Sequence, residues 1–352
     1  MADIRQRKSE HLDVVLQGIA AGKPGSAGFE AVRFEHLALP ELHLDHVDVS
    51  TMFLGRRLAA PYLISSMTGG PERASAINRA IAQAAGHLGI AFGVGSQRVA
   101  LEHAGDAGFN KGLRQLAGPV PILANFGAAQ LKSWDGLAMA ERAVDMIDAD
   151  ALIIHLNPLQ EAVQAGGDRD WTGLLQRIEI IARRLAKPLV VKEVGNGISG
   201  ALARRLVDAG VAVIDVAGRG GTSWAAVEGA RAEDPAHKAI ANAFHDWGIP
   251  TAVAVADVRR DCPETTIIAS GGIRDGVDAA KAIRLGADLV GQAAGVLAAA
   301  ITGPDAVVAH VEVLIAQLRI ACFCTGSADL AGLKRAKLLR PQPEVFPPAG
   351  AD

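Results

Sequence analysis

From Pro61 onward the chain repeats one pattern eight times: a short apolar run, a polar and glycine-rich break, then a segment with helical apolar spacing. The apolar runs fall at 62–66, 90–94, 122–124, 151–155, 189–193, 213–216, 266–269 and 289–291. Amphipathic spacing between them predicts helices, for example over 75–88, 173–185, 199–208 and 276–285. The runs are apolar throughout rather than alternating, which fits strands covered on both faces. One junction device recurs, in Asp148-Ala149-Asp150-Ala151, Asp208-Ala209-Gly210-Val211 and Leu285-Gly286-Ala287-Asp288: a small residue or glycine stops the helix and an apolar strand follows. The pattern predicts the α/β class as a closed (β/α)8 TIM barrel, with a doubly wound open sheet as the alternative.

At 352 residues the chain is long for one domain, yet barrels of this kind run past about 250 residues as a single unit. Half of the residues are hydrophobic and 21% are charged, enough for a large core and against disorder. Residues 1–60 show no clear period and are expected to form a cap over the barrel mouth or a mobile arm. Residues 61–340 hold the barrel and a long helix after Thr302, and 341–352 form a proline-bearing tail.

A formal net charge of −3 gives no global attraction to nucleic acid or to an anionic membrane, so any anionic ligand must be met by a local cluster of donors. The three cysteines, Cys262, Cys322 and Cys324, have neither metal-ligand spacing nor an even-numbered disulfide framework. That usage suits a reducing compartment, and the expectation is a soluble cytoplasmic protein. The N-terminus mixes charges without an apolar stretch, and the apolar run at 289–301 is too short to span a bilayer.

Active sites of such barrels gather at the C-terminal strand ends. After the seventh strand comes Ala269-Ser270-Gly271-Gly272-Ile273-Arg274, and after the eighth Gly291-Gln292-Ala293-Ala294. These two loops are where barrels often bind phosphate through backbone N–H groups and a helix N-terminus, although Gly271-Gly272 also suits a plain tight turn. Ser65-Ser66-Met67-Thr68-Gly69-Gly70, after the first strand, can grip a flat heteroaromatic ring or simply turn the chain. Lys192 closes the apolar fifth strand and is either a cation against a flavin ring or half of a buried ion pair with Glu193. The fourth strand ends in His155-Leu156-Asn157-Pro158-Leu159-Gln160-Glu161, a convergence of polar groups in which Glu161 is a hard oxygen ligand suited to Mg²⁺. The alternatives there are a hydrogen-bonded core histidine and an ordinary helix N-terminal acid. Ser96-Gln97-Arg98 follows the second strand, and Arg7-Lys8 lies in the N-terminal arm. These cations suit phosphate oxygens, or in the case of Arg7-Lys8 a solvated tail.

Over nearly its whole length the chain resembles type 2, flavin-dependent isopentenyl-diphosphate isomerase. The likeness is carried by Arg7-Lys8-Ser9-Glu10-His11, Met67-Thr68-Gly69-Gly70, Val94-Gly95-Ser96-Gln97-Arg98, Ala124-Asn125-Phe126-Gly127, His155 through Glu161, Lys192-Glu193-Val194-Gly195 and Gly220-Gly221-Thr222-Ser223-Trp224, in that order. The resemblance implies FMN contacts at Ser66, Met67, Thr68, Ser96, Asn125, Lys192 and Thr222, with the FMN phosphate at Gly272, Ile273, Arg274, Ala293 and Ala294. It implies a substrate diphosphate at Arg7, Lys8, Ser96, Gln97, Arg98 and Gln160. Catalytic roles would fall to His155, Gln160 and Glu161, with Glu161 also holding Mg²⁺. Ala217 departs from the pattern, since some relatives place Ser there, and a hydroxyl contact to the phosphate would be missing.

The activity so implied is the interconversion of isopentenyl diphosphate and dimethylallyl diphosphate in isoprenoid biosynthesis. Protons would be added and removed at a reduced FMN, itself reduced beforehand by NADPH or NADH, and the relatives form homotetramers or homo-octamers. The main rival is an FMN-dependent oxidoreductase of the 2-hydroxy-acid oxidase type. That chemistry needs a His base late in the barrel, and no His falls between His245 and His310. A nucleotide dehydrogenase would need a nucleophilic Cys in a βα loop, which the positions of Cys262, Cys322 and Cys324 do not supply.

Overall fold

Eight short apolar strands, each too short to bury itself alone, close into one parallel barrel in the computed structural model. The model describes residues 4–18, 20–22, 26–67, 72–102 and 108–339, excepting the side chains of 4–9, 72 and 73. The strands are β1 (Tyr62–Ile64), β2 (Ala91–Gly93), β3 (Ile122–Gly127), β4 (Ala151–His155), β5 (Leu189–Lys192), β6 (Val213–Asp215), β7 (Thr266–Ser270) and β8 (Leu289–Gln292). β8 pairs with β1 through Val290↔Tyr62, Gly291↔Leu63 and Gln292↔Ile64, which completes the ring and excludes the open-sheet alternative. A closed ring has no edge strand, so every strand has a partner on both sides.

The helices expected between strands are present, among them Glu72–Leu88, Leu174–Arg184, Gly200–Asp208 and Gly276–Leu285. At the junctions, Gly210 (φ 97) and Gly286 (φ 120) take the positive φ that stops a helix, whereas at the third junction Asp148 itself does so (φ 52). The longest excursion, between β6 and β7, holds the helices Trp224–Arg231, Pro235–Ala243 and Thr251–Asp261. Ser223 and Asp234 cap the first two by accepting from Ala226 N and from Ala236 and His237 N. The helix Pro304–Cys324 is long and apolar enough to cross a membrane by length and composition. Its buried residues Val307, Val311, Leu314, Leu318 and Cys322 belong to a core shared with the helices Glu72–Leu88 and Gly276–Leu285.

Residues before Pro61 do not form one cap. The helix Ile4–Leu16 packs on the helices Trp224–Arg231 and Ala294–Thr302 at the mouth, and Ala21 bridges to Thr222. The hairpin Thr51–Phe53/Arg56–Leu58 instead plugs the opposite end. Its two-residue turn, Leu54 (φ 49) and Gly55 (φ 75), has the paired positive φ values of a tight hairpin. Phe53 and Leu58 enter the barrel floor among Leu63, Ala91, Leu123, Ala151, Val213 and Leu289, residues at or near the beginnings of their strands. The alanines opening β2 and β4 leave the volume that Phe53 and Leu58 fill. Arg56 locks the plug by donating to Pro119 O and Asp150 Oδ1, both at 2.9 Å. The proline-bearing tail at 341–352 lies outside the described residues.

If the hairpin is a core plug, Phe53→Ala opens a cavity and costs about 3–5 kcal/mol in urea unfolding, with ligand affinity at the mouth unchanged. A loss below about 1 kcal/mol would mean that the floor is filled without it.

Candidate active site at the barrel mouth

The strand C-termini surround a cavity of about 620 Å³, within the range of cofactor and substrate sites. Strand register builds it: His155 pairs with Lys192 and Lys192 with Asp215, so the polar residues closing three neighbouring apolar strands share one level.

One pole is backbone. Gly271 (φ 97), Gly272 (φ 73), Ile273 and Arg274 face Ala293 and Ala294, which open the helix Ala294–Thr302 without a side-chain cap. A Cβ on Gly272 would lie 2.6 Å from the Gly220 carbonyl carbon, and one on Gly271 would lie 2.1 Å from Gly218 O. The tight turn and the anion cradle are thus one feature, because glycine lets loop stack on loop and leaves the cavity side bare. Gln292 Nε2 donates to Ile273 O at 3.0 Å, and Gln292 Oε1 lies 2.7 Å from His310 Nε2, fixing the rim. Arg274 lines the rim, but its guanidinium and its amide both donate to Asp278. Its side chain is therefore held by an acid rather than aimed at a ligand.

The central wall carries Ser65, Ser66, Met67, Ser96, Asn125, Lys192 and Thr222. The Oγ atoms of Ser65 and Ser66 are buried without a partner, and glycines make room for them. A Cβ on Gly291 would fall 2.4 Å from Ser65 Oγ, and one on Gly93 would fall 2.6 Å from Ser66 Oγ. Asn125 Nδ2 donates to Val94 O while its Oδ1 meets His155 Nδ1 at 2.9 Å. Thr68 lies outside the described residues, as do the side chains of Arg7 and Lys8 on the helix Ile4–Leu16.

Two expectations change. Gln97 does not face the cavity: it is fully buried, donates to Ala143 O at 2.9 Å and accepts from Asn125 N at 2.9 Å. An amide at that point satisfies backbone groups of two elements at once, so Gln97 shapes the wall and is not placed to bind diphosphate. The Lys192–Glu193 ion pair is also absent. Lys192 Nζ donates to Glu193 O at 2.6 Å, while the Glu193 carboxylate turns away to accept from the amides of Val194, Gly195 and Asn196.

The far pole is polar. Asn157 Nδ2 donates to Gln160 Oε1 (3.1 Å) and Glu161 Oε1 (3.0 Å), and Glu161 Oε2 accepts from Asp168 N (2.8 Å). Asn157 Oδ1 is buried with no partner. Gln160 Nε2 donates to Glu228 Oε1 at 3.1 Å, and Arg231 donates to Glu228 Oε2 at 2.7 Å. His11 Nε2 sits 2.9 Å from Glu228 Oε1, and Glu10 pairs with Arg231, which seats the N-terminal helix over this pole. Burial works to raise the Glu228 acid, but His11, Gln160 and Arg231 together hold it below the ordinary glutamate value. Arg98 lines the same side, donating to Glu102 at 3.0 Å with Asp168 3.7 Å away.

Sequence reasoning overlooked Glu228, Asp215 and His310, and read Ser65 and Ser270 only as members of their loops. Asp215 had a signal, an acid closing an apolar strand as Lys192 closes its neighbour. Glu228 had none, since its role comes only from one helix packing on another.

A protein-family model described as FMN-dependent dehydrogenase matches residues 151–340. Relatives named isopentenyl-diphosphate delta-isomerase include that of Stutzerimonas stutzeri, 68% identical over 95% of this chain and 96% of its own length. The relative of Xanthobacter autotrophicus is 60% identical over 95% of this chain and 97% of its own length. That of Synechocystis is 49% identical over 94% and 95%. Among solved structures, a mandelate oxidase with benzoyl-formic acid superposes with TM-score 0.63 at 19% identity, covering 95% of this chain and 97% of that one. A lactate oxidase of Pediococcus acidilactici gives TM-score 0.65 at 17% identity, covering 96% and 94%. At such identity the oxidases speak for the fold alone.

Burial pushes the Glu193 carboxyl from an ordinary 4.5 up to about 7, against the pull of three amides and the Lys192 charge. The folded chain then holds a proton that the unfolded chain has released. This contribution to stability is complete below 4.5 and is lost as pH rises through about 7. Between about pH 5 and 8 the parent chain should lose on the order of 3 kcal/mol relative to Glu193→Gln in denaturant titrations. Parallel pH profiles of the two would refute the assignment.

Proposed function

The chain belongs to the isopentenyl-diphosphate delta-isomerases and carries the FMN-dependent dehydrogenase domain, and on that premise we propose how its mouth performs the reaction. The enzyme interconverts isopentenyl diphosphate and dimethylallyl diphosphate, moving one carbon–carbon double bond with no net redox change. The observation that carries the reading is one cavity with two unlike poles, a glycine-lined backbone cradle and a polar cluster around Gln160.

FMN fits the residues present. The loop pair of Gly272, Ile273, Ala293 and Ala294 suits its phosphate, and the unpartnered hydroxyls of Ser65 and Ser66 are donors awaiting a polar ring edge. Ser96, Asn125, Lys192 and Thr222, with Met67 as an apolar contact, complete that wall. When bound and reduced by NADPH, FMN would supply an electron-rich ring and an exchangeable proton for the reaction.

The remaining work belongs to the protein. His155, oriented through Nδ1 by Asn125, positions substrate, and Arg98 and Ser96 with Arg7 and Lys8 take its diphosphate. Gln160 is clamped between Asn157 and the Glu228 carboxylate, which makes its amide the cavity-facing end of a proton path. A single Mg²⁺ suits Glu161 and the unpartnered Asn157 Oδ1. Among the described residues no cluster of three His, Cys, Asp or Glu could form a full protein cage. Diphosphate and water oxygens would fill the remaining positions, as Mg²⁺ prefers. We place the enzyme in the cytoplasm as a homotetramer or homo-octamer. The exposed Val313 and Ile320 on the helix Pro304–Cys324 offer apolar contact area for assembly.

The test is anaerobic reduction with NADPH, then conversion of isopentenyl diphosphate followed by NMR with and without Mg²⁺. Turnover should require reduced FMN and the metal. In Gln160→Ala it should fall by about 10²-fold or more with FMN still bound. Undiminished turnover in that variant would remove Gln160 from the proton path.

A further inference from the structure

Among the described residues Lys192 is the only Lys or Arg that is buried, and a buried ammonium needs a compensating charge or full hydrogen bonding. Its own neighbour forms no direct pair with it, since the Glu193 carboxylate is spent on three amides and only the Glu193 carbonyl accepts from Nζ. The nearest register neighbour that carries a carboxyl is Asp215 on β6, 1% exposed, which feels the Lys192 charge without forming an ion pair within 4.0 Å. Asp215 Oδ1 accepts from Ser270 Oγ at 2.6 Å and from Ala217 N at 3.3 Å. Lys192 and Ser270 line the cavity, whereas Asp215 stands behind them. Burial lifts the Asp215 acid above the ordinary aspartate value, and the Lys192 charge, Ser270 and Ala217 oppose that rise.

We propose that Asp215 is a positioning residue that acts through Lys192: its carboxyl, one strand away in register, biases the ammonium toward the cavity wall assigned to FMN, and Ser270 sets the carboxyl's direction. The inference rests on the FMN reading above. Asp215 also holds Ala217 at φ 37, where the chain turns into the glycine-rich loop beside the cradle. A single substitution therefore mixes two effects, and a double-mutant cycle with Lys192→Met separates them.

The readout is the ratio of FMN affinities in the reduced and oxidised states, obtained by equilibrating the holoenzyme with a redox dye. A cation at the wall favours the reduced, anionic ring, so Asp215→Asn should lower the ratio by about tenfold. In the Lys192→Met background the same substitution should change it by less than about twofold. Should Asp215→Asn fail to fold, Ser270→Ala is expected to lower the ratio by about threefold, again only when Lys192 is present. A rise in the ratio, or an equal change in both backgrounds, overturns the role of Asp215 while leaving FMN binding intact. A parent chain that binds no FMN overturns both this inference and the reading it rests on.

Discussion

Closing eight strands into a ring removes every edge, and because all eight run parallel their C-termini emerge on one side. Strands of three to six residues are too short to carry chemistry along their length, so whatever polar residue ends each one is delivered to the mouth. His155, Lys192 and Asp215 arrive together for that reason alone, through the β4–β5–β6 register. The opposite end has no such task and is sealed by Phe53 and Leu58, with Arg56 and Arg114 meeting on Asp150 beneath it.

Above the ring, loops are stacked closely enough that side chains are excluded. Gly218 and Gly220 underlie Gly271 and Gly272, and the buried Thr251 binds the two layers by donating to Gly271 O at 2.6 Å. The result is a rim of backbone rather than side chains, suited to an anion in a protein whose net charge would otherwise repel one. The guanidinium of Arg274 on that rim is paired with Asp278.

Buried charge on the other walls is handled in three ways. Glu193 spends its carboxylate on loop amides, Glu228 is held by His11, Gln160 and Arg231, and Glu161 bonds to Asn157 and to a backbone amide. Each arrangement fixes a different neighbour: the Gly195 turn, the Gln160 amide and the entrance to the loop after Val163. Satisfying the charge and orienting the site are the same interaction.

Period and punctuation in the sequence determined the barrel, its eight strands and the loops that face the mouth, because apolar spacing and helix-stopping residues are local properties. Resemblance in short motifs supplied most of the cavity lining, including Ser66, Asn125, His155, Gln160 and Lys192. Tertiary structure alone decided the rest. Gln97 was drawn into the wall because two backbone groups there needed an amide, and the segment before Pro61 split between floor and mouth because the strand beginnings left a hole of its size. Glu228 and Asp215 entered the site from a packed helix and an adjacent strand. Which residues come side by side across 23 positions (Lys192 and Asp215, in register) or bond across 68 (Gln160 and Glu228) is set by ring closure and packing, and no local pattern in the chain encodes it.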